Sequence, residues 1–384
     1  MLRVLAMFSA RRRLDLVAQA LAVGFAAWLL YVLFMWAFGP GAAERFRFLR
    51  DETGYDIIQH LVPYTEQSTH ARALLVGVLN TLLVAVLGII LATILGFTIG
   101  IGSVSGNWLV AKLCEAYVET VRNVPVLLQL FFWYFAALRA VPGPRESWSL
   151  FDSIFLNNRG LYVPSLTPQD GAGLVGLAAL AAIALWIALS RWAHDRRMAT
   201  GQGFPAFWVG AGLFLGLPAL AALATGLPFT PSFPSLQGFN FEGGLVILPE
   251  LIALVLALSV YAAAYIAETV RAGIEGVQRG QVEAAQAIGL TRAQTLRLVV
   301  VPQALRIIIP PLTSQYMNLT KNSSLATAIA YPDLVSVFAG TSLNQTGREI
   351  EIIVITMAIY LTLSLLTSLV MNWYNARIAL TGAR

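Results

Sequence analysis

Only two lysines occur in this 384-residue chain, Lys112 and Lys321, and neither follows a glycine. A phosphate-cradling Gly-x-x-x-x-Gly-Lys-Ser/Thr loop places its lysine directly after a glycine, so a standard P-loop is excluded. Cys114 stands alone, which excludes an intrachain disulfide. The three histidines, His60, His70 and His194, are scattered and form no metal-ligand constellation. Nor does any Ser-, Cys- or His-based catalytic arrangement emerge. Charged residues make up only 12% of the chain, and its net charge of +5 rests on arginines spread over loops between apolar blocks. That distribution is not the clustered basic face that nucleic acid requires.

What is abundant is apolar: 58% of residues are hydrophobic and the mean hydropathy is +0.72, the composition of a polytopic membrane protein. Eight apolar blocks follow one another, at 16–38, 74–102, 124–138, 174–189, 204–224, 245–266, from about 299 onward, and at 352–370. The first follows Arg11, Arg12 and Arg13 and is longer than the apolar core of a usual signal peptide. It reads as a retained helix with its N-terminus inside, a cleaved signal being the alternative. The third block reads as the continuation of a helix that begins near Glu115. Residues 141–170 carry Pro142, Pro144, Pro164 and Pro168 and read as an irregular exterior loop, and Pro228, Pro231 and Pro234 mark a second such connection. With eight spans both termini lie inside. Lys and Arg then favour the inside regions about two to one, as the positive-inside rule expects.

Between the sixth and seventh blocks lies a polar stretch with a distinctive spacing. Glu283, Ala284 and Ala285 are followed, after three intervening residues, by Gly289 and, after nine more, by Val299, Val300, Val301 and Pro302. Ala284, Ala285 and Ala287 leave one helix surface nearly bare, so a short helix here can lie close against a partner. Gly289 suits the positive φ that ends it. Thr291 can cap a second helix running through Gln294 and Leu298, with Arg292 and Arg297 on it. This pattern resembles the cytoplasmic EAA loop of ABC importer permeases. Two further segments resemble the polar-amino-acid group of that family: 119–132, which includes Glu119, Arg122, Asn123 and Gln129, and 265–274, which includes Glu268 and Arg271. Downstream, Asn318, Lys321, Asn322, Ser323, Ser324 and Leu325 are similar to the same group. Asn123 stands where glycine is commoner, and valines replace Ile or Leu at 299–301. The resemblance covers 74–138 and 245–375, and the extended plan is similar to the larger permease of general L-amino-acid importers.

That resemblance implies an all-α polytopic membrane protein with a type I ABC importer permease fold, about eight transmembrane helices and a cytoplasmic EAA coupling helix. It divides the chain into an N-terminal helix and exterior loop (1–73), two parts of the permease core (74–140 and 245–375, with the EAA loop at 271–302), inserted loops and two extra spans (141–244) and a cytoplasmic tail (376–384). It implies a noncatalytic subunit of the bacterial inner membrane. Its partners would be a dimer of ABC ATPase subunits that bind ATP and Mg, a second and non-identical permease, a periplasmic amino-acid-binding protein, an L-amino acid and membrane lipid, with no nucleic acid. No cofactor is expected in this chain. Glu283, Ala284, Ala285, Gly289 and Arg292 are the candidates for ATPase coupling.

The repeated Glu-Thr-Val-Arg at 119–122 and 268–271 places a carboxylate and a guanidinium at two cytoplasmic helix ends, where they serve either as structural clamps near a gate or as pathway groups. Gln129 joins them as a pathway candidate. Lys321 lies in an apolar block interrupted by Pro302, Pro310 and Pro311, so its ammonium should face protein or water. Asn318, Asn322, Ser323 and Ser324 could satisfy it, contact a passing amino acid, or act as polar glue between helices. The alternative function is a secondary transporter driven by an ion gradient. Against it stand the lack of an acidic residue deep in any span and the presence of a docking loop that such a carrier does not need.

Overall fold

A computed structural model of the chain describes residues 24–381, apart from 26–27, 29–30, 33, 37, 138–139 and 239. The first expected span, 16–38, lies largely outside the described residues. The principal helices are α1 (His70–Ser103), α2 (Trp108–Asn123), α3 (Val126–Phe131), α4 (Ala172–Thr200), α5 (Ala206–Ala224), α6 (Pro249–Glu275), α7 (Arg279–Ala287), α8 (Arg292–Thr295), α9 (Val301–Asn322) and α10 (Glu349–Thr381). Among the described residues six helical stretches are long and apolar enough to cross a membrane. They coincide with the second block and with the fourth to the eighth.

The chain divides into two compact units, one drawn from Met1–Leu130 and Leu254–Arg384, the other from Phe131–Ala253. In the first, α1 starts at Thr69, whose side chain accepts the Arg72 amide. The buried residues of α1 include Ala73, Gly77, Thr81, Ala85, Gly88, Ala92, Gly96 and Gly100, a stripe of mostly small side chains on one helix face. A Cβ at Gly96 would stand 2.6 Å from Ile266 Cβ, and one at Gly100 2.7 Å from the Ala267 carbonyl oxygen. The backbones of α1 and α6 thus approach to a distance that any side chain on α1 would block. This is how membrane helices gain contact where no hydrophobic driving force separates protein from lipid.

The third block departs from expectation. Asn107 caps α2 through the Leu109 and Val110 amides, but the helix stops at Asn123 and Val124 is extended (φ −98°, ψ 126°). The cause is Pro125, which has no N–H and disfavours the helical conformation of the residue before it. A shorter apolar helix, Val126–Ala136, follows. The prolines of the seventh block act differently. Pro302 follows directly on a widened helical turn at Leu296–Val300, and the helix runs on through Pro310 and Pro311 to Asn322.

In the second unit α4 and α5 form a hairpin. They pack so closely that a Cβ at Gly210 would meet the Trp186 indole at 2.2 Å. Residues 141–170, expected to be irregular, instead form antiparallel strands: β1 (Trp148–Leu150), β2 (Ile154–Asn157), β3 (Gly160–Val163) and β4 (Ser165–Pro168). After the hairpin come β5 (Phe229–Ser232), β6 (Ser235–Gln237), β7 (Asn240–Glu242) and β8 (Leu245–Ile247). The sheets are β1-β2-β3-β8, β4-β5 and β6-β7. Pro142, Pro144 and Pro164 fall outside the strands, and Pro168 and Pro231 lie on a two-stranded ribbon that has edges to spare. The sixth block is shortened for the same reason, since Leu245–Ile247 pairs with β3 and the helix begins at Pro249.

Candidate functional site

The stretch 279–300 folds as a helix, a tight turn and a capped helix. Helix α7 ends in a double C-terminal closure: the Gly289 amide donates to Gln286 O (2.9 Å) and the Leu290 amide to Ala285 O (3.1 Å). Gly289 has φ +84°, the left-handed conformation this closure requires. Among the described residues nothing lies within 4 Å of where its Cβ would be. Thr291 then begins α8 with a reciprocal capping box, its hydroxyl accepting the Gln294 amide while Gln294 Oε1 accepts the Thr291 amide at 2.9 Å. The second helix runs through Gln294 and Leu298 as the sequence suggests, α8 widening over Leu296–Val300 and continuing as α9.

Of the five coupling candidates, only Ala285 is buried, 4% exposed. Glu283, Ala284, Gly289 and Arg292 face outward. Beside them Ile288 is 77% exposed. Sequence reasoning missed Ile288, although its position just before Gly289, an apolar side chain at the apex of a polar turn, was a usable signal.

A second cluster gathers the two Glu-Thr-Val-Arg repeats around a cavity of about 370 Å³ lined by Glu115, Glu119, Arg122, Glu268 and Arg271 among others. Arg271 holds Glu268 through two hydrogen bonds, Nη2 to Oε1 at 2.6 Å and Nε to Oε2 at 3.3 Å, and reaches Glu275 at 3.0 Å with Nη1. Arg122 approaches the same Glu268 at 4.0 Å from α2. Its guanidinium also lies over the Tyr265 ring, 5.1 Å from the centroid. Glu268 thus joins one arginine of its own repeat to one of the other. All three side chains are about a third exposed or more, so the arrangement contributes little to stability. Its consequence is geometric, holding α2 against α6 through charges that can re-pair. Tyr265 and Glu275 join this cluster, and neither was singled out as a site residue.

Gln129 has another occupation. Its buried amide donates at 2.9 Å to both Val121 O and Val124 O, satisfying carbonyls left open where Pro125 breaks the helix. The group at 318–324 sits at the far end of α9, about 30 Å along the helix from its start at Val301 by its 1.5 Å rise per residue, and is not brought to either cluster. Asn318 and Lys321 are exposed, and among the described residues Lys321 has no ion-pair partner. The Ser323 and Ser324 hydroxyls donate to Thr320 O (2.7 Å) and Lys321 O (2.8 Å), closing the last turn, while Asn322 is half-buried.

The chain is thus a multi-pass helical protein with a hydrogen-bonded turn between two spans and a charged cluster at two helix ends. Residues 86–380 match the family of binding-protein-dependent transport system inner membrane components, and the chain belongs to that family, with the fold of the type I ABC importer permeases. It is 52% identical to the general L-amino acid transport system permease protein AapQ of Rhizobium johnstonii over 93% of this chain and 89% of that protein. It is 51% identical to YhdX of Escherichia coli over 95% of this chain and 93% of that protein. To the glutamate/glutamine/aspartate/asparagine transport system permease protein BztB of Rhodobacter capsulatus it is 43% identical, over 96% and 93%.

Proposed function

We propose that this chain is the translocation subunit of an ATP-driven amino-acid importer of the bacterial inner membrane. The observation that carries the reading is the turn at Gly289. It presents Glu283, Ala284, Ile288 and Arg292 outward on a hydrogen-bonded turn, each of them exposed among the described residues. Such a surface transmits force only if another protein seats on it. Family membership and the 52% identity to a general L-amino acid transport system permease support an ABC ATPase in that place.

In this reading the chain itself is noncatalytic, and ATP and Mg are bound by the separate ATPase dimer. A periplasmic amino-acid-binding protein delivers substrate at the exterior face, and a second, non-identical permease completes the pathway. Both termini are cytoplasmic. ATPase closure moves α7 and α8 as a lever. Because α8 is continuous with α9, and Glu275 at the end of α6 is only four residues ahead of α7, the movement reaches the Arg122–Glu268–Arg271 cluster, where ion pairs exchange as the cytoplasmic side opens. Lys321 and its neighbours lie at the other end of α9, facing the pathway. An ion-gradient-driven carrier is disfavoured, because it gives the docking turn no task.

The test is uptake by proteoliposomes containing the full complex, with ATP inside and binding protein outside, over a panel of L-amino acids. Uptake that needs ATP and binding protein is the expected result. Uptake by this chain alone, driven by an ion gradient, would overturn the reading.

A further inference from the structure

The first unit contains a second and larger cavity, about 1120 Å³, between the segment at 36–51 and the helices α1 and α10. It exceeds the roughly 300–1,000 Å³ of ordinary small-molecule sites. One wall is apolar and aromatic, formed by Trp36, Phe38, Phe46, Leu74, Ile355 and Ala358. Its depth relative to the membrane follows from the helices. Ala71 and Leu74 belong to the first turns of α1, while Ala358 lies nine residues into α10, about 13 Å along its axis at 1.5 Å per residue. The groove therefore runs from the level of the lipid headgroups into the hydrocarbon.

Its mouth is charged and balanced: Glu44, Arg47, Arg50 and Asp51 all line it. Arg45 is otherwise engaged, donating to the carbonyls of Trp36 and Pro40 and lying over the Trp36 ring, which fixes the aromatic wall. Arg47 and Glu44 stand 3.8 Å apart with side chains 73% and 78% exposed, a pair weak enough to open for a ligand. Two guanidinium groups beside two carboxylates, above an apolar slot, match a ligand that carries a phosphate, a primary ammonium and acyl chains. A purely anionic headgroup gains nothing from the two acids. A quaternary ammonium lacks the N–H donors that the carboxylates would accept.

We propose that this groove is a binding site for one aminophospholipid, its phosphate on Arg47 and Arg50, its ammonium on Glu44 and Asp51, and an acyl chain along Leu74, Ile355 and Ala358. Bound there, the lipid joins the 36–51 segment to the first turns of α1 and α10.

The test uses the full chain in its purified complex, stripped of lipid in detergent and exposed to vesicles containing equal amounts of phosphatidylethanolamine, phosphatidylcholine and phosphatidylglycerol with the same acyl chains. Native mass spectrometry counts the lipid retained. Phosphatidylethanolamine should be enriched about tenfold over the other two. Arg47→Gln with Arg50→Gln should abolish retention, and Glu44→Gln with Asp51→Asn should keep a lipid but lose the preference. These side chains are exposed, so the variants fold, and Arg197→Gln serves as a control that leaves retention unchanged. Equal retention of the three lipids, or an unchanged preference in both double variants, overturns the proposal. So does a photoreactive residue at Ala43 that captures a protein subunit rather than lipid.

Discussion

Arg122 and Glu268, 146 positions apart in sequence, meet at 4.0 Å across α2 and α6, and Glu268 is at the same time held at 2.6 Å by Arg271. One carboxylate shared by two guanidiniums can be released by either without becoming unpaired, a property suited to a joint that must move. The exposure of the group limits its energetic weight. A double-mutant cycle of Arg122→Ala and Glu268→Ala should therefore give a coupling energy below about 1 kcal/mol in thermal unfolding, while each single variant lowers ATP-driven uptake several-fold. Wild-type uptake in both variants would reduce the cluster to a structural clamp.

The contact of α1 with α6 predicts a sharper effect. Gly96→Leu and Gly100→Leu place side chains where Ile266 and the Ala267 carbonyl already stand. Overpacking of this kind costs about 1–3 kcal/mol or more, so both should lose folded protein in a thermal-shift assay. Gly176→Ala on α4, where a Cβ meets nothing within 4 Å, should be neutral or raise the midpoint slightly.

Gln129 offers a test of the broken third block. Gln129→Leu keeps the volume but leaves the Val121 and Val124 carbonyls without their donor. A loss of about 1–3 kcal/mol is expected, read as a lower unfolding midpoint. An unchanged midpoint would mean that other groups close the helix end.

Between α9 and α10, Asp333 is completely buried, and burial raises its carboxyl to about 6 against hydrogen bonds from the Ser336 and Val335 amides that favour the ionised form. A folded value above the unfolded one means that the folded state binds the extra proton between about pH 4 and 6. The stabilisation is complete below the unfolded value and is lost as pH rises through about 6. Wild-type stability should therefore increase on acidification from pH 7 towards 5, by a few kcal/mol at most, and Asp333→Asn should flatten that dependence. A variant with the wild-type slope would assign the dependence to another group.

Most of the spans were legible in the sequence because an apolar run of eighteen or more residues has few other uses. The break at Pro125 was obscured because the same run that signalled a span continues beyond it, and local hydropathy does not register a missing N–H. The strands at 148–168 were missed because their partners are distant: β3 pairs with β8 more than eighty residues away, and the prolines that suggested irregularity only mark strand ends and ribbon edges. Among the site residues, the turn at Gly289 was readable, since positive φ, capping box and bare alanine face are all local. The meeting of Arg122 with Glu268 was not, because spacing within each repeat says nothing about which helices pack together. Ile288 was hidden by its type, an aliphatic residue among many in an apolar chain.

The proposed coupling of this chain to a separate ATPase rests on the turn at Gly289. Because a Cβ there meets nothing within 4 Å among the described residues, Gly289→Asp costs the fold only the left-handed backbone conformation, about 1–2 kcal/mol. Any larger effect on activity must come from a partner. The measurement is ATP hydrolysis by the reconstituted complex with binding protein and amino acids, wild type against Gly289→Asp. Loss of stimulated hydrolysis, or loss of the ATPase from the complex, is expected while the permease stays folded. Full stimulated hydrolysis in the variant would contradict the proposed coupling.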